Sequence, residues 1–309
     1  MLYKEWIDDW LEYYVKPTVK DKTYNRYLEV SRQHLAPKLG EYNLDELTPI
    51  IIQKFITELM QTGNSRTGKG LSANSINGII IVIRSSLTTA FSVGLVDELV
   101  VSKIKRPRNE EKTIKCFSIE EQKKIEQAVL SDKRDKMIGV ILCLYTGLRL
   151  GELLALEWED IDFSKGELTV SKTCHDGKDE CGNYRRIIDT PKTLSSKRII
   201  PIPKQILPLL KEVKKRSLSK YVVANGEKEV SVRSYQRSFS LLQEKIKIPH
   251  HGFHALRHTF ATRAIECGMD VKSLSEILGH KSPTITLNRY VHSLMAHKKE
   301  YMNRLGKMF

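Results

Sequence analysis

The last third of the chain holds polar side chains whose types suit phosphodiester chemistry. His254 and Arg257 stand three residues apart in the run HALRHT, His280 closes the run LGH, and Tyr290 follows ten positions later. A phenol can act as a nucleophile once it loses its proton, a guanidinium keeps its charge, and a histidine can donate or accept a proton. Together these groups could attack a phosphorus atom and clamp its oxygens.

Capping and stop signals place these residues on successive helices. His254 and Arg257 are predicted to share one helical face. Asp270 is predicted to cap the next helix, and a glycine after that helix places His280 at its exit. A serine–proline pair then restarts a helix, with Tyr290 about two turns along it.

The charge of the chain favours a polyanionic partner. Among 309 residues, Lys and Arg exceed Asp and Glu by 14, and the sequence pI is about 9.4. Residues 1–108 carry 15 basic and 12 acidic side chains, whereas residues 109–309 carry 36 and 25. Nucleic acid is therefore expected before an anionic membrane surface. No run as apolar as a membrane span and no secretory segment is recognised, so a cytoplasmic, nucleoid-associated protein is expected.

The hydrophobic pattern predicts two domains. Residues 1–104 repeat apolar side chains at helical spacing and predict a helical bundle. Residues 105–117 are basic, contain Pro107 and have little periodicity, which is typical of a linker. Residues 118–309 form the second domain, which begins with a capped helix start.

The second domain changes from helical to strand periodicity in its middle. Short β-rich segments separated by turn residues predict a small antiparallel sheet. The predicted strands are Trp158–Phe163, Glu167–Lys172, Arg186–Thr190 and Lys197–Ile202. The fold class is therefore mainly α with a small antiparallel β-sheet.

No metal and no cofactor is expected. The run 63–70 nearly matches a phosphate-binding P-loop, but Gly70 stands where such a loop needs Ser or Thr, and a helix precedes it. Cys174, His175 and Cys181 lie close together, yet the second ligand pair of a zinc site is missing. The five cysteines are scattered and do not form a disulfide framework; they are Cys116, Cys143, Cys174, Cys181 and Cys267.

Four motifs in chain order resemble those of the tyrosine recombinases, or phage-type integrases. They are TGLRLGE around Arg149, HALRH, LGH and the downstream Tyr290. The likeness covers the whole second domain and is closest to integrases of phages and conjugative transposons. By the same resemblance, the helical domain corresponds to the part that binds core-site DNA.

The resemblance implies a set of catalytic residues. Lys192 is the expected general acid, because the family places a lysine on a hairpin turn, and Lys197 is the competing choice. Glu152 is expected to support Arg149. The implied catalytic set is Arg149, Lys192, His254, Arg257, His280 and Tyr290, with Tyr290 as the nucleophile.

The implied activity is site-specific DNA recombination through a covalent 3′-phosphotyrosine, integrating or excising a mobile element. The alternatives are a type IB-like topoisomerase and a non-catalytic DNA-binding regulator with the same fold. The implied partners are double-stranded DNA and three further copies of the chain in a tetramer on paired sites. An excisionase or a host DNA-bending protein is a further expected partner, and no membrane is.

Some features depart from the family pattern. Ten positions separate His280 from Tyr290, where many members have nine, and Tyr301 is a rival nucleophile. The stretch from Cys174 to Tyr184 resembles the enlarged hairpin of conjugative-transposon integrases. No separate domain for arm-type DNA sites is recognised before the bundle. The segment after Tyr290 is expected to dock on a neighbouring protomer.

Overall fold

The chain divides into two compact units in the computed structural model, Met1–Lys112 and Thr113–Phe309. The structure describes residues 1–64, 67–109, 114–178, 184–189, 197–290, 302–303 and 305–306. Each unit has its own buried apolar core.

The first unit is a helical bundle. Two of its helices continue into π-helical turns, Trp10–Val15 and Ser31–Leu35. Short 3-10 turns span Leu44–Glu46 and Val100–Lys103. The α-helices are α1 (Tyr3–Asp9), α2 (Asp21–Val30), α3 (Ala36–Leu39), α4 (Pro49–Thr62) and α5 (Ala73–Ser92).

Local signals begin the two long helices of the bundle. The hydroxyls of Thr48 and Ser72 accept backbone N–H groups at the starts of α4 and α5, as capping residues do. The α1 helix packs on α5, where the Tyr3 hydroxyl lies 2.9 Å from Ser86 Oγ and the Trp6 indole donates to the Ser86 carbonyl at 3.2 Å. Apolar spacing alone predicts this bundle.

Among the described residues, α5 is the helix long and apolar enough to cross a membrane by length and composition. Half of that stretch is buried within the bundle. Ile76, Ile79 and Ile83 lie in the core, and a central bundle helix has this composition for that reason.

The second unit combines helices with short strands. Its helices are α6 (Ile119–Leu130), α7 (Ile138–Thr146), α8 (Leu150–Ala155), α9 (Leu207–Arg216), α10 (Val232–Lys245), α11 (His254–Glu266), α12 (Val271–Leu278) and α13 (Pro283–Tyr290). Its strands are β1 (Ile161–Asp162), β2 (Glu167–Val170), β3 (Thr173–Lys178), β4 (Tyr184–Asp189), β5 (Arg198–Pro201), β6 (Ala224–Asn225) and β7 (Lys228–Glu229).

The predicted fold class is confirmed, but the prediction of a single sheet is wrong. Strands β1, β2 and β5 form one antiparallel sheet. Strand β3 pairs with β4 in a separate two-stranded sheet, and β6 pairs with β7 in another. The predicted first strand begins instead as a 3-10 turn, Trp158–Asp160. Periodicity did not predict β3, because Asp176 and Gly177 are turn-forming residues, although the family resemblance indicated an enlarged hairpin from Cys174 to Tyr184.

The core of the second unit surrounds α7, whose residues are almost all buried. This helix packs against α6, α8, α9 and α11. Phe117, at the end of the expected linker, is fully buried in this core, and its backbone N–H donates to Thr259 Oγ1 at 2.9 Å. Thr259 lies on α11, so this contact ties α11 to the entry of the unit.

Candidate active site

The carboxyl ends of α7 and α12 meet at the side chain of Arg257. This guanidinium is 2% exposed and donates to the carbonyls of Gly147 at 2.8 Å and Leu278 at 2.6 Å. Its Nη2 also lies 3.0 Å from Nε2 of His280. Backbone carbonyls at helix ends carry partial negative charge, so they stabilise this buried cation.

Two left-handed glycines shape these helix ends. Gly147 ends α7 with a φ of 66°, and Gly279 ends α12 with a φ of 63°. A Cβ on Gly147 would lie 2.5 Å from Cδ1 of Phe260, so packing as well as conformation requires glycine there. The turn at Gly147 leads directly into Arg149.

Arg149 and Arg198 share the carboxylate of Glu152. Arg149 Nη1 donates to Oε1 at 2.7 Å, and Arg198 Nη2 donates to Oε2 at 2.8 Å. Arg149 also donates to the Gly279 carbonyl at 3.0 Å, and Arg198 Nε donates to the Ile277 carbonyl at 2.6 Å. Glu152 therefore contacts both arginines, and both are fixed to the end of α12.

The inward position of Arg198 was not predicted, although the sequence holds a signal for it. In β5, Arg198 and Ile200 point inward while Ile199 is exposed. Because side chains alternate along a strand, an arginine in register with buried Ile200 is predicted to point inward as well. An inward arginine needs a partner, which Glu152 provides.

The electrostatics of the site keep Glu152 ionised. Burial of its side chain works against ionisation, but the hydrogen bond and charge of Arg198, with the charge of Arg149, outweigh it and lower the pKa to about 2. Burial, and then the charge of Arg149, lower the pKa of Arg257 to about 9. Arg257 is still protonated at neutral pH, so the site as a whole is cationic and suits an anionic ligand.

His280 and Arg257 form one hydrogen-bonded unit. The backbone N–H of His280 donates to the Ser275 carbonyl at 3.0 Å, which fixes the residue directly after α12. Its ring Nδ1 lies 2.8 Å from the hydroxyl of Thr286, a fully buried residue of α13. Because Arg257 can only donate, Nε2 is the acceptor in that contact and Nδ1 carries the proton.

Tyr290 lies at the end of α13 and packs against residues of α11 and α12. Its side chain is 3% exposed and packs with Ala261, Leu274 and Leu278. Its hydroxyl lies 2.7 Å from Nδ1 of His258, a residue to which the sequence analysis gave no role. A signal existed, since His258 lies one turn after His254 in the same run, but only tertiary packing reveals Tyr290 as its neighbour.

His254 is the exposed member of the group. It begins α11, and its ring centroid lies 4.6 Å from that of His258, with the two rings nearly perpendicular. His254 and Arg257 therefore occupy the same turn of α11 but differ in burial. His254 faces solvent, where a large ligand could reach it.

Several predicted residues lie outside the part of the chain that the structure describes. These are Lys192, Cys181, Tyr301 and most of the segment after Tyr290. Lys197, the alternative to Lys192, is exposed and directly precedes β5. Within the described ranges, His, Cys, Asp and Glu side chains form no group able to hold a metal ion.

The β3–β4 hairpin is attached close to Arg149. A Cβ on Gly151 of α8 would lie 2.6 Å from the carbonyl oxygen of Cys174 in β3. On the other side, the Asp176 carboxylate accepts the backbone N–H groups of Val232 at 2.9 Å and Arg233 at 3.0 Å, at the start of α10. The hairpin thus links the helix after Arg149 to α10.

Both units resemble proteins already described. Residues 116–297 match the phage integrase family, and residues 2–60 match the phage integrase N-terminal SAM-like domain. The chain is 30% identical to a tyrosine recombinase XerC-like protein of Caldanaerobacter subterraneus, across 97% of this chain and 81% of that protein. It is 26% identical to the transposase from transposon Tn916 of Enterococcus faecalis, across 95% and 76% of the two.

A solved structure shares the fold. The Tn1549 transposon integrase in complex with a circular intermediate DNA matches with a TM-score of 0.82 and 22% identity, covering 99% of each chain.

Proposed function

We propose, because the chain belongs to the phage integrase family of tyrosine recombinases, that it cuts and rejoins DNA strands through Tyr290. The Tyr290 hydroxyl attacks the scissile phosphorus and loses its proton, and the bond from phosphorus to the 5′-oxygen breaks. A 3′-phosphotyrosyl ester and a free 5′-hydroxyl result. Since the ester conserves the energy of the original bond, religation to a new strand needs no ATP.

One observation carries this proposal. The guanidinium of Arg257 is fixed between the ends of α7 and α12 and bonded to His280, while Tyr290 reaches back from α13 to α11. The proposed nucleophile, the proposed phosphate clamp and a polar histidine thus lie on or directly beside α11, α12 and α13, which pack together. Each of the family motifs contributes to this site.

Arg149 and Arg257 are proposed to hold the non-bridging oxygens of the phosphate. Negative charge gathers on these oxygens in the pentacoordinate transition state, and planar guanidinium donors suit them. Support for Arg149 comes from its 37% exposure, which leaves part of its side chain open to a ligand, and from Glu152, which fixes its orientation. His254 is proposed to contact the phosphate beside them, and His280 is proposed to act on it through the Arg257 guanidinium that it bonds.

Lys192 is proposed to protonate the departing 5′-oxygen, with Lys197 as the alternative. An alkoxide is a poor leaving group unless it receives a proton. The chain from Asp189 to Lys197 joins the hairpin to β5, whose Arg198 is anchored to Glu152. In this proposal no metal or cofactor takes part.

The chain is proposed to act as a tetramer on paired duplex sites. Exchange between two duplexes cuts four strands, and each protomer supplies one Tyr290, so four copies are needed. The helical part, residues 1–104, would bind core-site DNA beside a linker at 105–117 and the catalytic part at 118–309. The segment after Tyr290 would dock on a neighbour, and an excisionase or host DNA-bending protein would assist in the nucleoid.

The reaction proposed here integrates or excises a mobile element. Its support is the likeness to the Tn916 transposase along most of both chains. DNA contacts would be made mainly to phosphates by the basic second unit, so affinity should fall steeply as salt rises.

The test is covalent trapping on nicked suicide substrates that carry the ends of the element. The wild-type chain should form a DNA adduct, and Tyr290→Phe should abolish it. Tyr301→Phe is the matched control and should leave the adduct in place. An adduct that persists in Tyr290→Phe would assign the nucleophile elsewhere. Relaxation without strand exchange would indicate a topoisomerase, and no adduct at all a non-catalytic regulator.

A further inference from the structure

We infer that His258 is the general base that takes the proton from Tyr290. This inference rests on the proposed function and adds to it the group that activates the nucleophile. The contact between His258 Nδ1 and the Tyr290 hydroxyl is 2.7 Å, a hydrogen-bond distance at the reacting oxygen itself. When the hydroxyl donates, Nδ1 is unprotonated and His258 is the neutral tautomer with its proton on Nε2.

The surroundings of the pair favour transfer to His258 over transfer to water. Tyr290 is 3% exposed, and His258 is partly buried beside it. Ala261, Ala264 and Leu278 pack in the same cluster as the tyrosine ring. In these apolar surroundings the Tyr290 hydroxyl has His258 Nδ1 as an acceptor within hydrogen-bond distance and has limited access to solvent.

His280 is occupied elsewhere. Its Nε2 accepts from Arg257 Nη2 at 3.0 Å, and its Nδ1 bonds Thr286 at 2.8 Å. Both ring nitrogens are therefore committed to holding the phosphate clamp and α13. His258 Nδ1 contacts the nucleophile directly, at 2.7 Å.

His254 connects the pair to the surface. Its ring lies 4.6 Å from that of His258, and it is exposed at the start of α11. The two histidines lie one helical turn apart, so their side chains share one face of α11, where the rings meet edge to face. A proton received by His258 is thus close to a second titratable group that meets solvent.

The step balances without any further reactant. The O–H bond of Tyr290 breaks and its proton binds Nδ1 of His258, which becomes an imidazolium. The tyrosyl oxygen bonds phosphorus as the bond to the 5′-oxygen breaks, and that oxygen is protonated by the general acid. Religation reverses the sequence, with the imidazolium returning its proton to the tyrosyl oxygen.

The test is the rate of covalent adduct formation by His258→Asn, with Tyr290 either natural or replaced by 3,5-difluorotyrosine. Removing a general base should slow the natural nucleophile about 10²- to 10³-fold. Fluorination makes the phenol more acidic, so it depends less on a base. The fluorinated His258→Asn chain should therefore recover at least about tenfold, since rate follows proton-transfer driving force.

Matched substitutions separate this role from a structural one. His254→Asn, on the same helix face, removes the proposed phosphate contact and should show a defect that fluorination does not restore. His250→Asn, an exposed histidine bonded to Ser240, should leave the rate unchanged. His258→Gln, measured in the same way, is the second variant if the asparagine chain does not fold.

The possible outcomes are distinct. An equal defect with natural and fluorinated tyrosine would overturn the inference, because it indicates a merely structural role. A His258→Asn rate equal to or above that of wild type would also overturn it, since the contact would then be neutral or would restrain the nucleophile. A wild-type adduct that Tyr290→Phe abolishes supports the proposed function whatever His258 does. Absence of adduct from wild type overturns both.

Discussion

Replacing Glu152 with Gln removes the charge that Arg149 and Arg198 share while keeping the shape of the side chain. The carboxylate is 6% exposed and accepts from both guanidiniums. A glutamine offers one oxygen, and its amide N–H groups would face donors instead of acceptors. The variant therefore leaves the guanidiniums of Arg149 and Arg198 with one acceptor oxygen in place of two and without the negative charge.

The size of the effect follows from the ionisation of the carboxyl group. A pKa of about 2, set against an ordinary value of 4.5, corresponds to about 3 kcal/mol of stabilisation for the ionised form. Loss of one partner from a buried ion pair typically costs 3–5 kcal/mol, the same range. We expect Glu152→Gln to lower the free energy of unfolding by about 3 kcal/mol.

The assay is urea unfolding of the full chain at pH 7 and at lower pH. Because the folded pKa is depressed, the stabilisation is complete above about pH 4.5 and is lost as pH falls toward 2. The difference between wild type and Glu152→Gln should therefore shrink over that window. Glu212→Gln, which breaks an exposed pair with Arg216, is the control and should change stability by about 0.5 kcal/mol or less. A Glu152→Gln chain as stable as this control at pH 7 would refute the reasoning.

Two further substitutions, one of them with a matched control, test how the backbone is held around the site. Gly147→Ala forces a Cβ to 2.5 Å from Phe260 at a φ of 66°, and should cost about 2–4 kcal/mol by thermal unfolding and slow adduct formation. Gly226→Ala, with a φ of 63° and open space around it, should cost only about 1 kcal/mol; equal losses would show that packing at Gly147 is unimportant. Asp176→Ala removes the acceptor at the start of α10 and should cost about 1 kcal/mol by urea unfolding; an unchanged midpoint would contradict that capping role.

Local signals predicted the helices of the site well. Asp270 caps α12, accepting the backbone N–H of Ser273 at 2.9 Å, and Tyr290 lies two turns into α13, as its sequence position predicts. Capping and stop signals act within a few residues, so they can be read without tertiary structure. The resemblance to tyrosine recombinases, carried by motifs along the second unit, is likewise confirmed.

Non-local pairing explains what the sequence analysis missed. Strand β5 returns to β2 across the intervening hairpin, so the division into separate sheets depends on contacts between distant segments. The same holds for Arg198, whose partner Glu152 lies 46 positions away, and for His258, whose partner Tyr290 lies 32 away. The role of Lys192 stays a prediction.

The hydrogen bonds from the arginines to backbone carbonyls affect which substitutions this site can tolerate. Arg149, Arg198 and Arg257 all donate to main-chain oxygens around the end of α12 or α7. Every amino acid carries such an oxygen, so substitution at the acceptor positions cannot delete it. The orientation of the guanidiniums is thus set by the path of the backbone. The side chains at Ile277 and Leu278 can therefore change for packing while the arginines keep their orientation.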